Sequence, residues 1–199
     1  GVNYEKVNDK AQTNVPEGFD IKKSDGDGSC MYYSILNASK GKNLPPGTNI
    51  QGTDMEEKDK NLRINLANFM SNKQKYEKCL KDNPESSDFG QDEKINWNVL
   101  PNYETSQYKI LKERILTPKS WGDREQQKLI ECMYDIKIKI YDSTKNKWSD
   151  KPNNDDFNTI YLIYNGYHYD WLSRVIQEGG QLDIKDITDI PKGLALYAK

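Results

Sequence analysis

Apolar residues recur along this chain at two spacings. Up to residue 134 the spacing is helical; from residue 136 it is that of strands. Residues 1–20 are polar with little periodicity and predict an irregular lead-in. Ser24-Asp25-Gly26-Asp27-Gly28-Ser29 is a turn cluster. It opens directly into residues 30–38, which hold no Gly or Pro and predict a helix headed by Cys30. Residues 40–52, with Pro45-Pro46-Gly47, predict a loop. Thr53 with Glu56 three residues on forms a capping-box pattern. Leu62, Leu66, Phe69 and Met70 follow at spacings of three and four, beside Ile64 and Ala67, and predict a helix running into the seventies. Residues 82–104 are polar, broken by Pro84, Gly90 and Pro101, and predict a long loop or insertion. A short helix is predicted over 107–116, with Ile110, Leu111 and Ile115 on one side. Ser120-Trp121-Gly122-Asp123 leads into another over 124–134, with Leu129, Ile130 and Met133 facing inward.

Ile136, Ile138 and Ile140 then alternate with Lys137 and Lys139, the pattern of a half-buried strand with a solvated lysine face. Residues 159–164 predict a second strand, Asn165-Gly166 a tight turn, and 167–172 the return strand. The tail beyond Ser173 carries Gly179-Gly180 and an apolar end at 194–197. Helices first and strands after predict an α+β fold, a small, mostly antiparallel sheet flanked by helices. The 199 residues suit a single domain over 1–199, with a core at 20–172, an insertion at 82–104 and a C-terminal extension at 173–199.

Composition narrows the function. Hydrophobic residues make up 35% and charged residues 30%, and mean hydropathy is -0.97, so a modest core carries long polar loops. With 29 basic against 31 acidic residues there is no broad basic field for nucleic acid. No apolar run approaches a membrane span, and Gly1-Val2-Asn3 opens no secretory h-region. The three cysteines, Cys30, Cys79 and Cys132, are spaced neither for zinc nor as a disulfide framework, so free thiols in a reducing cytosol are expected, Cys79 and Cys132 being structural or surface thiols. Heavy use of Asn, Lys and Ile fits an AT-rich genome, of an intracellular bacterium or a protozoan. Host cytosol after secretion, as a bacterial effector, is one expected location.

The chain holds one histidine, His168, which limits the chemistry more than any other feature. A nucleophilic cysteine must reach the thiolate, and a helix N-terminus favours that form, so Cys30 is the candidate nucleophile. The turn before it can aim backbone N–H groups at a developing oxyanion, with Gly26 and Gly28 allowing unusual dihedrals and close approach. Any histidine base must be His168. Asp170, two residues on, faces the same side of a strand and can fix the imidazole tautomer. Taken singly, each feature also has a structural reading: a packed cysteine, a solvated hairpin histidine, turn-forming Asp25 and Asp27. Together they point to a Cys–His hydrolase.

Asp27-Gly28-Ser29-Cys30-Met31-Tyr32-Tyr33-Ser34 resembles the signature of the ovarian tumour (OTU) domain deubiquitinases, where Asp-Gly-Asn/Ser-Cys leads into a helix with aromatic and small residues. Trp121-Gly122-Asp123 with Glu125, then a helix and the strand at 136–141, resembles that family's second block. Tyr167-His168-Tyr169-Asp170-Trp171-Leu172 resembles its third. The blocks stand in the family's order across residues 24–172. The resemblance implies a papain-like OTU cysteine protease fold and a deubiquitinase. It implies thiol-dependent hydrolysis of (iso)peptide bonds at the C-terminal glycine of ubiquitin, through a Cys thioester. Cys30 would be nucleophile, His168 general base, Asp170 the orienting acid, and Asp27, with Gly28 and Ser29, the organiser of the oxyanion loop; the offset of Asp25 does not match.

It further implies no metal and no organic cofactor, and a monomer that binds ubiquitin or polyubiquitin chains. Trp171 and Tyr167 are expected to wall a channel for the substrate's Gly-Gly end, although alternation sets them, with Tyr169, on the face opposite His168, where they can equally be core. Trp121 is expected to be a packing anchor. Met31 stands where the family often has Leu or Phe, and the stretch from the Cys helix to Trp121 and the tail are longer than in compact members. The alternatives are a protease for another ubiquitin-like modifier and a catalytically idle ubiquitin-binding module.

Overall fold

A computed structural model describes residues 14–40, 50–82, 100–154 and 158–175. Residues 83–99 of the predicted insertion, most of the 40–52 loop and the tail beyond 175 lie outside them. Two short edge strands and three longer strands build one sheet: β1 (Phe19–Lys22), β2 (Lys137–Asp142), β3 (Lys147–Trp148), β4 (Thr159–Tyr164) and β5 (Tyr169–Arg174), in the order β1-β5-β4-β2-β3.

 The sheet therefore has five strands among the described residues, the four-residue β1 and the two-residue β3 at its edges and the six-residue β5, β4 and β2 between them. β2 and β4 run parallel; every other pairing is antiparallel. The fold is α+β with a mostly antiparallel sheet, as the pattern predicts.

Two strand expectations change. The polar lead-in ends in β1, which pairs Phe19 with Arg174 and Lys22 with Trp171, an edge strand too short to show a period. Lys139 is not solvated. β2 carries a core on each face, Ile138 and Ile140 on one and Tyr141 on the other, and is buried from Ile138 to Asp142. The Lys139 ammonium is buried, donates to the Lys151 carbonyl at 2.8 Å and sits 3.8 Å from Asp150.

Five helices accompany the sheet among the described residues: α1 (Cys30–Ser39), α2 (Met55–Ser71), α3 (Lys73–Lys81), α4 (Ser106–Leu116) and α5 (Arg124–Tyr134). The N-cap of α2 is Asp54, which accepts from Glu57 N–H, while Thr53 donates its N–H and hydroxyl to the Glu57 carboxylate. The capping pattern read at Thr53 and Glu56 is thus displaced by one residue, because the Asp54 carboxylate takes the free amide. The helix running into the seventies is two helices. Asn72 breaks it and caps α3, its side chain accepting from Lys75 N–H.

α1 packs against β4 and β5 on one side and α2 on the other. Its Met31, Tyr32 and Ile35 join Leu62, Leu66 and Met70 of α2, Leu129 and Ile130 of α5, and Ile160 and Leu162 of β4 in the main core. A smaller core on the other sheet face gathers Phe19, Tyr141, Tyr161, Ile163 and Leu172. The strand at 159–164 is therefore apolar at consecutive positions because both of its faces are buried.

Cys79 and Cys132 are not free thiols. They form a disulfide that joins α3 to α5 across 53 residues of sequence, and Cys30 is the remaining free cysteine. A separation that long carries no local signal; α2, against which both α3 and α5 pack, brings the pair together.

Candidate active site

Cys30 is the first residue of α1, reached through the turn at 24–29. Gly28 is required there by close approach: a Cβ would stand 1.6 Å from the Lys119 carbonyl oxygen. Gly26, by contrast, has open space around it and needs no special dihedral. Within the loop Asp27 acts locally. Its carboxylate accepts from Ser29 N–H at 2.8 Å and its carbonyl from Cys30 N–H at 3.1 Å. Two N–H groups that sequence reasoning aims at an oxyanion are thus held by Asp27. Asp25 is exposed.

The Cys30 side chain is buried, and burial pushes its thiol above the ordinary value. The backbone N–H groups of Tyr169 and Met31 pull the other way, and the charges of Asp27 and Asp170 add to the rise. The helix N-terminus is therefore outweighed by desolvation, contrary to expectation, and the resting thiol needs a base.

That base has to come from β5 or the turn before it. His168 stands at the end of the turn joining β4 to β5, not inside the strand. Asn165 fixes the turn: its side-chain oxygen accepts from His168 N–H at 2.9 Å and Tyr167 N–H at 3.2 Å. Gly166 has φ 102°, which accounts for glycine at this position. His168 Nε2 lies 2.9 Å from Asp170 Oδ1. Asp170 is buried and accepts as a carboxylate from Ser24 N–H at 2.8 Å and Lys23 Nζ at 3.2 Å. An Asp170 so surrounded by donors takes the Nε2 proton as its third partner, which leaves Nδ1 as the basic nitrogen. No hydrogen bond joins Cys30 Sγ to the imidazole in the resting geometry. α1 nevertheless packs on β5, Ser34 Oγ donating to the carbonyl of Tyr169, the residue after His168, at 3.1 Å. Catalytic hydrogen bonds of this kind tighten when substrate binds.

The remaining candidates are placed as follows. Trp171 is half-buried against the main core, and Tyr167 is 56% exposed on the turn. Trp121 is not a packing anchor: it is 56% exposed. Its neighbour Gly122 does the packing, since a Cβ there would stand 2.2 Å from Met31 Cε. Among the described residues no group of three His, Cys, Asp or Glu side chains could hold a metal, and no helix is long and apolar enough to cross a membrane.

No family model matches this chain, and no curated protein does. Solved structures do match. An OTU domain in complex with ubiquitin is 20% identical, with 78% of this chain and 69% of that one covered and a TM-score of 0.45. The chain is similar to solved OTU domain structures. The Hazara virus OTU bound to ubiquitin is 15% identical over 79% of this chain and 82% of that one, TM-score 0.45. The viral OTU domain protease from Dera Ghazi Khan virus is 15% identical over the same shares, TM-score 0.47.

Sequence reasoning overlooked what seats the 24–29 loop and the acid. Lys23 and Ser24 N–H hold Asp170, and Asp59 and Arg63 of α2 hold Ser29. The second pair left a legible trace. Asp59, Leu62, Arg63, Leu66 and Met70 share one helical stripe, so a charged i,i+4 pair falls where the helix is buried.

Proposed function

We propose that this chain is a thiol hydrolase acting at the C-terminal glycine of ubiquitin. The observation that carries the reading is the meeting of α1 and β5: the helix headed by the free cysteine packs on the strand that opens next to a histidine already oriented by a buried aspartate, Ser34 of the helix donating to the Tyr169 carbonyl at 3.1 Å. The three ordered sequence blocks that resemble OTU deubiquitinases supply the substrate class.

In this reading His168 Nδ1 takes the Cys30 proton as sulfur attacks the glycine carbonyl carbon. The C–S bond forms and the carbonyl π pair moves to oxygen. The oxyanion is met by N–H groups of the 27–30 loop, the Cys30 N–H exchanging the Asp27 carbonyl for the substrate oxygen. The imidazolium, stabilised by ionised Asp170, gives its proton to the leaving amine as the C–N bond breaks. Water then attacks the thioester carbonyl, its proton passing to His168. The C–S bond breaks, the proton on His168 returns to sulfur, and the carboxylic acid is released and loses its remaining proton to solvent.

A ubiquitin probe carrying a C-terminal electrophile tests this. Wild type is expected to take one probe and Cys30→Ala none. Tight ubiquitin binding without labelling would replace the reading with an idle binding module. Labelling only by a probe built on another modifier would replace the substrate.

A further inference from the structure

Ser29 occupies the N-cap of α1, yet its side chain makes no cap hydrogen bond. Serine at this position ordinarily accepts from the second or third amide of the helix, here Met31 or Tyr32. Its hydroxyl is engaged elsewhere. Ser29 Oγ donates to Asp59 Oδ2 at 2.8 Å and accepts from Arg63 Nη2 at 3.0 Å.

Arg63 is itself fixed on every side. Nε donates to Asp59 at 3.0 Å, Nη1 to the carbonyls of Ile115 and Thr117 and to Ser120 Oγ, and Nη2 also to the Ser120 carbonyl at 2.9 Å. The Tyr32 ring lies 3.9 Å from its guanidinium carbon. Both charged side chains are almost wholly buried. A buried ion pair adds little net stability over well-packed apolar residues, so this one is better understood by what it holds in place.

We infer that Arg63, with Asp59, is a positioning residue of the thiol site: by gripping the Ser29 hydroxyl it stops Ser29 from capping α1, and so leaves the Met31 N–H at the head of the helix, next to Cys30, uncapped. This rests on Cys30 being the nucleophile. No side chain caps that amide in the resting structure, and its pull on the thiol is in the direction that favours the thiolate. A freed Ser29 would compete for that amide at the cap.

The test is the pH profile of Cys30 alkylation by iodoacetamide, which needs the thiolate and no ubiquitin. Arg63→Lys keeps a cation beside Asp59 but loses the fork that reaches Ser29. The profile is expected to move to higher pH, with alkylation at pH 7 slowed roughly tenfold, the scale of one hydrogen bond to a charged group. Adding Ser29→Ala, which cannot cap, is expected to restore the rate to within about twofold of Ser29→Ala alone. If Arg63→Lys does not fold, Arg63→Met with Asp59→Leu removes both buried charges together and carries the same comparison. An unmoved profile, or a shift that persists after Ser29→Ala, overturns the inference. Failure of the wild type to take a ubiquitin probe overturns the proposed substrate instead, and leaves this comparison standing.

Discussion

The Cys79–Cys132 bond gives the sharpest thermodynamic expectation. Cutting it releases a loop that spans 53 residues of sequence, from α3 through α4 and the 117–123 segment to α5. The chain-entropy relation assigns about 4 kcal/mol to a loop of that length. For a domain of this size that is roughly 10 °C in Tm. Cys79 is buried, so Cys79→Ala with Cys132→Ala avoids leaving a polar atom inside. Urea unfolding of that double variant is compared with the oxidised wild type. Thiol counting decides the chemistry directly: the denatured, unreduced chain is expected to take one alkyl group, and three after reduction. A loss below about 1 kcal/mol, against the expected several, would refute the stabilising role. Three alkyl groups without reductant would refute the bond. Because α1, β4 and β5 lie outside the loop, probe labelling is expected to survive reduction.

Other perturbations test separate parts of the account. Gly28→Ala drives a methyl into the Lys119 carbonyl and should cost about 1–3 kcal/mol or more, whereas Gly26→Ala has open space and should be near neutral; equal urea midpoints would contradict the contact. Burial pushes the Glu131 carboxyl to about 7, against the pull of the Ile138 N–H and of Lys128, Arg124 and Lys137. Its folded value lies above the ordinary 4.5, so the stability it contributes is full below that pH and lost as pH rises through 7. Glu131→Gln should therefore gain on wild type between pH 5 and pH 8, by roughly 3 kcal/mol at most; parallel stability curves would contradict this. Asp170→Asn sets an amide among three donors, so either Lys23 Nζ loses its acceptor or Ser24 N–H and His168 lose theirs together, and the charge that steadies an imidazolium is gone in both cases. Turnover of a ubiquitin C-terminal amide should fall roughly 10²- to 10⁴-fold, and an unchanged kcat would contradict the orienting role.

What the sequence shows and hides follows from range. The helix headed by Cys30, the Asn165-Gly166 turn and the shared face of His168 and Asp170 are local, and spacing alone predicts them. β1 is four residues on a sheet edge, and only its pairing with β5 defines it. α3 is hidden because Asn72 interrupts an otherwise continuous helical pattern without Gly or Pro. Lys139 misleads because Ile-Lys-Ile alternation describes a strand with one exposed face, and the second core that covers its face is assembled from β1, β4 and β5 as well as β2. The Cys30 thiol misleads in the same way. The helix N-terminus is visible in sequence, but the burial that outweighs it is tertiary.

The central claim is that His168 moves the proton of Cys30 during acyl transfer. Hydrolysis of a fluorogenic amide at the ubiquitin C-terminus, compared between wild type and His168→Ala, measures it most directly. The account predicts a kcat lower by roughly 10²-fold or more, with ubiquitin affinity unchanged. A variant that turns over within a few-fold of wild type would contradict it.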